Sequence, residues 1–315
     1  MSTRLIRSLH NLKPRHQGAI VTMGNFDGVH LGHQQLLATA IALAKQHAVP
    51  SLVVTFEPHP FEFFKQANLT IPRLTRLREK FCAMAKMGVD NVLILPFNHK
   101  VASLSASDFI KQYLWAALKP VYMVIGDDFH FGRERQGDYA LLKTMGVQLG
   151  FGVDAISTVK VRGERVSSTR VRQALKAGDH LLAKALLGHP YTMMGRIRQG
   201  DQRGRKWGFP TANIDLHRSL TPVKGVYHVY VHGIASKPLP GVANVGVRPT
   251  VDGTRTLLEV HLHDFNQEIY GRYVSIEFCE KWRDEVQFSN VVLLKQQIAA
   301  DVLASRQYFH LDGAK

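Results

Sequence analysis

The chain has 315 residues, is 45% hydrophobic and 21% charged, and carries a formal net charge of +15 at pH 7. This length allows two domains, and the composition is that of a globular protein rather than a disordered or fibrous one. No apolar run approaches the roughly 18 residues of a membrane span, and no secretory signal is recognisable, so we expect a cytoplasmic protein without a membrane partner. Because the two cysteines are far apart, we expect neither a disulfide scaffold nor a cysteine-based metal cluster.

Strand-like and helix-like segments alternate through the first half of the chain. The apolar runs that predict strands are Ala19–Met23, Leu52–Phe56, Asn91–Leu95, Tyr122–Ile125 and Gly152–Ile156. Helical spacing predicts helices over Gln34–His47, Arg76–Met87, Ser105–Ala117 and Asp138–Leu149. Ser105 and Asp108 fit a capping box at the third helix. Near-continuous apolar strands that alternate with helices predict an α/β domain with a doubly wound parallel sheet.

The pattern changes near Gly188. Before it, Ser168–Leu187 has helical spacing that is broken at Gly178. After it, short β-type segments are separated by turn residues such as Pro238–Pro240, and they lie at Val226–Val231, Leu258–Leu262 and Val274–Phe278. Such segments predict an antiparallel β-barrel or sandwich, and a final helix is expected over Phe288–Gln307. We therefore expect two domains, residues 1–187 and residues 188–315.

The stretch Gly24–His33 reads Gly-Asn-Phe-Asp-Gly-Val-His-Leu-Gly-His and joins the first predicted strand to the first predicted helix. A glycine-rich turn at this point presents backbone N–H groups to a phosphate, and His30 and His33 add donors at the same place. The stretch has neither the Lys-Ser/Thr of a P-loop nor a spaced glycine triplet. Taken alone, two histidines at a helix start are more often capping or packing residues than ligands, so both interpretations stay open here.

Two further segments favour anion binding. Gly126–Gly132 follows the fourth strand, and a Ser-Ser-Thr-Arg-Val-Arg run follows the fifth at a predicted helix start. The hydroxyls of Ser168 and Thr169, beside backbone N–H groups and with Arg172 one turn later, form an anion site. Because ligands of open α/β sheets bind beyond the carboxyl ends of the strands, we expect Gly24–His33 and Gly126–Gly132 at one shared edge.

These segments, together with Phe56–Pro60 and Arg73–Thr75, resemble the adenylyltransferase module of the prokaryotic bifunctional riboflavin kinase/FAD synthetase family, within the HxGH nucleotidyltransferase superfamily. The resemblance implies that FMN and ATP are converted to FAD and pyrophosphate without a protein nucleophile. It implies that His30 and His33 stabilise the charge that develops on the departing pyrophosphate.

The resemblance also assigns the neighbouring positions. The residues implied to bind ATP phosphates or to shape the loop around them are Gly24, Asn25, Asp27, Arg165, Ser168, Thr169 and Arg172. Those implied to lie at the flavin or nucleotide pocket are Asp128, Phe129 and Phe131. Phe61–Phe64 fits either a flavin site or the core, and we favour the core.

A second glycine-rich stretch, Gly195–Asn213, is also basic. Read as structure, its glycines mark a mobile or tightly turned loop. Read as function, a flexible basic loop followed by Thr211 and Asn213 closes on phosphates and supplies oxygen ligands to Mg²⁺. The residues alone leave these interpretations equal.

The Gly-Phe-Pro-Thr-Ala-Asn run that ends at Asn213 resembles riboflavin kinases, and later segments agree in order: Gly225–Tyr227, Asn244–Gly246, Glu259–Leu262 and Arg283–Glu285. The resemblance spans about Gly18 to Asp301, and it implies a C-terminal barrel that converts riboflavin and ATP to FMN and ADP with Mg²⁺. It makes Glu259 the base that accepts the ribityl hydroxyl proton. It assigns ATP and Mg²⁺ to Gly204, Thr211 and Asn213.

Alternatives remain for single residues and for the whole chain. Glu259 on an alternating strand is equally compatible with a solvent-exposed carboxylate, and Trp207 stands where a smaller aliphatic residue is common in the family. The dispersed basic charge fits nucleic acid, acidic lipid or phosphorylated small molecules. We expect riboflavin, FMN and ATP as partners and no nucleic acid. The alternatives are an enzyme with one surviving activity and a nucleic-acid-binding regulator, and the oligomeric state is not indicated.

Overall fold

The computed structural model describes residues 2–64, 71–200, 204, 207–218, 220–250 and 253–311. Contacts divide the chain into two compact units. The first unit contains Met1–Ile71 and Thr75–Ser168, and the second contains Pro72–Leu74 and Thr169–Lys315. The domain division expected between residues 187 and 188 stays a prediction.

The first unit is built on a six-stranded parallel sheet with the order β1-β4-β3-β2-β5-β6. Its strands are β1 Arg4–Arg7, β2 Ile20–Met23, β3 Ser51–Glu57, β4 Asn91–Pro96, β5 Tyr122–Gly126 and β6 Gly152–Ile156. A short hairpin follows, with β7 Lys160–Val161 and β8 Glu164–Arg165. The predicted doubly wound sheet is confirmed. Of the six sheet strands β1 was missed, because Ile6 is its one buried residue and the strand has no apolar run. The β7–β8 hairpin was not predicted either.

The helices of this unit lie between the strands. They are α1 Leu31–Gln46, α2 Pro60–Phe63, α3 Leu77–Met87, α4 His99–Ala102, α5 Ala106–Phe109 and α6 Tyr139–Leu149, and α5 runs directly into a π-helical segment, Ile110–Ala116. Half of the predicted capping box forms. The Ser105 hydroxyl accepts the Asp108 N–H at 3.0 Å, but the Asp108 carboxylate binds that hydroxyl at 2.6 Å.

Alternate residues of the central strands face two separate apolar clusters. Val21 belongs to the cluster covered by α5 and α6, and Ile20 to the cluster covered by α1 and α3. Because both faces of the sheet are covered, the loops at the carboxyl ends of the strands are the places left for a ligand.

The second unit contains most of α7 Ser168–Ala177 and all of α8 His180–Leu187, followed by a closed antiparallel barrel. Gly178 lies between the helices with φ 76°, where the break was predicted. The barrel strands, in the order β10-β13-β12-β11-β14-β9, are β9 Thr192–Arg198, β10 Thr211–Asp215, β11 Gly225–His232, β12 Leu239–Thr250, β13 Gly253–Leu262 and β14 Tyr273–Arg283. The predicted barrel is confirmed. The turn expected at Pro238–Pro240 is partly wrong, because β12 begins at Leu239.

Three successive carbonyls of Pro72–Leu74 accept hydrogen bonds from side chains of the second unit. Their donors are Arg172 Nε at 2.8 Å, Arg218 Nη1 at 3.2 Å and the Tyr191 hydroxyl at 3.1 Å. The Leu74 side chain is completely buried. This short segment from the first half of the chain is therefore an integral part of the second unit.

The final helix, α9 Val291–Tyr308, is bound to the barrel by a bidentate ion pair. Arg283 donates from Nε to Asp301 Oδ1 at 2.7 Å and from Nη2 to Oδ2 at 2.6 Å. Asp301 is buried and also accepts from Gln297 Nε2 at 2.9 Å. Within the described residues, no helix combines the length and the apolar character needed to cross a membrane. Cys82 and Cys279 are free thiols.

Replacing Asp301 should destabilise the barrel. In Asp301→Asn the Arg283 guanidinium loses its carboxylate, and we expect the free energy of unfolding to fall by about 2–3 kcal/mol, since breaking a largely buried pair is costly. The matched control is Asp264→Asn, which removes an exposed pair with Arg306 and should cost less than about 1 kcal/mol. Urea unfolding measures both, and equal losses would contradict the role of Asp301.

Candidate active sites

The loop Gly24–His33 follows β2 with an unusual backbone. Phe26 has φ 49° and Val29 has φ 42°, in the region that favours glycine. Both side chains are buried, with exposed fractions of 0% and 2%. Burial of two large apolar side chains offsets the local strain, so packing against the sheet fixes the path of the loop.

Asp27 binds this loop to two other segments. Its Oδ1 accepts the Thr75 N–H at 2.8 Å and the Thr75 hydroxyl at 3.2 Å, while its carbonyl accepts the Ser168 hydroxyl at 2.8 Å. The Gly28 N–H donates to Thr75 Oγ1 at 2.8 Å. Asp27 is 2% exposed. Its carboxylate therefore holds the backbone of the loop.

His30 and His33 are stacked at the start of α1, with ring centroids 3.7 Å apart. His30 is the N-cap, and its Nδ1 accepts the His33 N–H at 3.4 Å. A Cβ on Gly32 would lie 3.3 Å from His30 Cε1, so glycine leaves room for the ring. Burial lowers the pKa of His30 to about 4. Burial, then His30 and Lys80, lower the pKa of His33. Both rings are neutral at pH 7.

The loop Gly126–Gly132 lies beside Gly24–His33, because β2 and β5 are parallel neighbours and end at the same edge of the sheet, as expected. Asp127 accepts the Thr158 N–H at 3.0 Å and its hydroxyl at 2.9 Å. Asp128 forms an ion pair with Arg165 of β8, and both side chains are about half exposed. The hairpin β7–β8 is therefore bound to the loop that follows β5.

The aromatic residues assigned to a pocket differ in exposure. Phe131 is buried in the apolar core, and Phe129 is partly buried and stacks on it with centroids 5.6 Å apart. Phe61 and Phe64 are 51% and 57% exposed, so the preference for a core position was wrong for these two. They follow β3, where the strand also ends at the carboxyl edge of the sheet.

The residues predicted at the third anion segment begin α7, as expected. Ser168 is its first residue, and Thr169 is exposed in its first turn. Arg172 lies one turn later, and its Nε donates to the Pro72 carbonyl within the second unit.

In the barrel, a polar row runs across three adjacent strands: Asn213 on β10, Glu259 on β13 and Asn244 on β12. Glu259 is directly opposite both asparagines in the register. Residues paired in this way point to the same face of a sheet. Leu258 and Val260 on either side of Glu259 are buried, so the polar row lies on the other face, away from the core.

A cavity of about 430 Å³ lies at one end of this row. Thr211 and Asn213 line it together with Gly200 and the segment 265–270, whereas Glu259 is outside its lining. A Cβ on Gly200 would lie 2.3 Å from Asn213 Nδ2, and one on Gly204 would lie 2.4 Å from the Phe209 carbonyl. A side chain would therefore not fit at Gly200, which lies against Asn213, or at Gly204, which lies against Phe209 and Thr211.

Trp207 is partly buried, and Lys295 Nζ lies 5.7 Å from the centre of its ring. The basic residues that the sequence assigned to the loop, Arg203, Arg205 and Lys206, lie outside the described residues.

Sequence reasoning missed Lys80 and Thr55, two buried residues beneath the Gly24–His33 loop. Lys80 is 1% exposed and donates to Thr55 Oγ1 at 3.2 Å. The signal was present: α3 has apolar residues at Leu77, Phe81 and Met84, and Lys80 occupies the same face.

Two family models match the chain: one described as FAD synthetase over residues 12–170, and one described as riboflavin kinase over residues 187–309. The bifunctional riboflavin kinase/FMN adenylyltransferase of Escherichia coli K12 is 46% identical over 98% of this chain and 98% of its own. The chain belongs to this bifunctional family. A second member, from Pseudomonas fluorescens, is 47% identical over 96% of this chain and 97% of its own.

A solved structure also matches the whole chain. It is described as a macrolide-efflux protein from Streptococcus pneumoniae, has a TM-score of 0.78 and 32% identity, and covers 96% of this chain and 97% of its own. The match therefore extends over both units.

His30 should make stability depend on pH. Its pKa is about 4 in the folded chain and about 6.5 when unfolded, so its stabilising contribution is complete above pH 6.5 and is lost as the pH falls toward 4. We expect this to cost about 2 kcal/mol between pH 7 and pH 5. Urea unfolding of His30→Asn should show a correspondingly shallower pH dependence. His47→Asn, at the exposed end of α1, is the control, and an unchanged slope in His30→Asn would refute the assignment.

Proposed function

We propose that this protein makes FAD from riboflavin in two ATP-dependent steps, one in each unit. The barrel phosphorylates riboflavin to FMN and releases ADP. The first unit transfers an adenylyl group from ATP to FMN and releases pyrophosphate. The observation that carries the proposal is that one chain contains both matched families over nearly its full length, so the product of one site is the substrate of the other.

Adenylyl transfer requires a phosphate oxygen of FMN to attack the α-phosphorus of ATP, while the bond to the β-phosphate oxygen breaks. The protein has to position the groups and stabilise charge. Neutral His30 and His33 at the start of α1 can donate N–H groups to the departing pyrophosphate, and the helix N-terminus adds a favourable dipole. The stacked rings and their low pKa values support this role.

The remaining residues of this site are proposed from the family resemblance, and the geometry supports them to different degrees. Ser168 and Thr169 begin a helix, which suits phosphate binding. Arg165 is half exposed beside Asp128 and can reach an anionic ligand. Gly24, Asn25 and Asp27 act on the shape of the loop. Phe131 is buried, so it supports Phe129 at the pocket rather than contacting a substrate. Arg172 is proposed as a further phosphate ligand.

Phosphorylation of riboflavin requires removal of the ribityl hydroxyl proton as that oxygen attacks the γ-phosphorus of ATP. Glu259 is the proposed base, and it lies in the polar row opposite Asn213. The hydroxyl of Thr211 and the amide oxygen of Asn213 are hard oxygen donors that fit Mg²⁺. When bound, the ion would neutralise phosphate charge. Gly204 lies close to Thr211, since a Cβ at this position would be 3.2 Å from Thr211 Oγ1.

The reactants support a cytoplasmic location. Both steps consume ATP, and the free thiols of Cys82 and Cys279 are typical of a reducing compartment. Riboflavin, FMN and ATP are the proposed partners, and the absence of a nucleic-acid partner stays a prediction.

Glu259→Gln should abolish FMN formation selectively. The amide cannot accept the hydroxyl proton, so we expect the kinase rate to fall by about 100-fold or more. Conversion of supplied FMN to FAD should remain at the wild-type rate. Chromatographic separation of the flavins after incubation with ATP and Mg²⁺ measures both.

The control for this change is Glu277→Gln, which alters a strand carboxylate paired with His232 on the same barrel. Its kinase rate should match the wild type. A normal rate in Glu259→Gln would remove Glu259 as the base, and a wild-type chain that converts no flavin but binds DNA tightly would overturn the enzyme proposal.

The double change His30→Asn and His33→Asn should impair FAD formation but not FMN formation. Loss of both imidazole donors should lower the rate of FAD formation by about 10²–10³-fold. FMN formation should continue, because the barrel is unaltered. His47→Asn serves as the matched change on the same helix. If both activities fell together, a thermal melt would show whether the first unit had unfolded, and a folded protein with both losses would count against separate sites.

A further inference from the structure

Lys80 is a buried cation close to the Gly24–His33 loop. Its side chain is 1% exposed and lies on the face of α3 that also carries the buried Met84. Transfer of an ammonium out of water is expensive, and an apolar side chain would pack at this position at lower cost. The charge is therefore a specific feature of this site.

Two hydrogen bonds connect Lys80 to the loop. Its Nζ donates to Thr55 Oγ1 at 3.2 Å, and the Thr55 hydroxyl donates to the Asn25 carbonyl at 3.3 Å. An ammonium has donors and no acceptor, so Thr55 has to accept from it and is left to give its own proton to Asn25. Each bond in such a chain polarises the next. The positive charge thus acts on the backbone of the loop.

Lys80 also acts on the histidine pair. The groups whose charge affects His33 are His30 on the same helix and Lys80 on α3. Those that affect His30 are Asp27, Asp128 and Arg165. In this set Arg165 is paired with Asp128, and Lys80 is the cation that acts on His33. Burial opposes the protonation of His33 most strongly, and His30 and Lys80 add to this effect.

We propose that Lys80 is a positioning residue for adenylyl transfer: its buried ammonium holds Asn25 through Thr55 and provides positive charge that acts on His33 at the start of α1, where an anionic triphosphate binds. This inference rests on the proposed adenylyltransferase function of the first unit. It explains how a site with two neutral histidines still attracts a polyanion. It also explains why a lysine occupies a core-facing position of α3.

The test compares Lys80→Met with Lys86→Met, an exposed lysine on the same helix. We expect Lys80→Met to lower kcat/KM for FAD formation by about 100-fold, as displacement of a positioned loop does, and Lys86→Met to leave it unchanged. Phosphorylation of riboflavin by the same chain reports that the protein remains intact. A kcat/KM within twofold of the wild type in Lys80→Met would overturn the proposal.

Two further measurements separate positioning from simple packing. NMR titration of ¹⁵N-labelled histidine should show that His33 titrates at higher pH in Lys80→Met, because a nearby positive charge is gone, and the acid limb of kcat/KM should move in the same direction. Thr55→Val keeps the charge and breaks the connection to Asn25, so it should lower kcat/KM without moving the titration. An unmoved His33 titration in Lys80→Met, or a wild-type rate in Thr55→Val, would overturn the corresponding half of the proposal. If the wild-type chain made no FAD, the proposed function would fail, and the titration would still test the charge next to His33.

Discussion

The first site depends on one buried carboxylate. Asp27 accepts two hydrogen bonds from Thr75 and places its own carbonyl against Ser168. A desolvated carboxylate without these donors would be very costly, so the loop has few alternatives to the observed path. That path requires left-handed backbone at Phe26 and Val29. The N-cap at His30, and hence the direction of both imidazoles, follows from it.

In the barrel, the register between neighbouring strands fixes the positions of the proposed site residues. A shift of one residue between β10 and β13 would turn Asn213 away from Glu259 and carry apolar side chains out of the core. A closed barrel has no free edge along which such a shift could begin. The proposed kinase residues therefore need no local anchor like Asp27, since the six-stranded closure fixes their alignment.

Features encoded by neighbouring residues could be predicted from the sequence, and features made by distant contacts could not. The central strands were recognisable because both faces are buried, and the loops because their glycines and histidines are adjacent. Strand β12 was not predicted, because it contains Pro240 and Pro249 and prolines are unusual inside a strand. The contact of Lys80 with Thr55 joins a helix to a strand. The sequence signal for it is that Lys80 falls on the same face of its helix as the apolar residues. Exposure of Phe61 and Phe64 likewise depends on packing that no local pattern records.

The segment Pro72–Leu74 has a consequence for exchanging modules between relatives. The FAD synthetase match ends at residue 170, yet all three donors to these carbonyls, Arg172, Tyr191 and Arg218, lie beyond it. In a fragment that ends at that boundary, Leu74 would be exposed to water and the carbonyls of Pro72–Leu74 would lose their hydrogen-bond donors. A chimera that joins this first unit to a foreign kinase needs a tyrosine and two arginines at the matching places. The end of the family match is therefore a poor place to divide this chain, because the second unit includes Pro72–Leu74, which precede it.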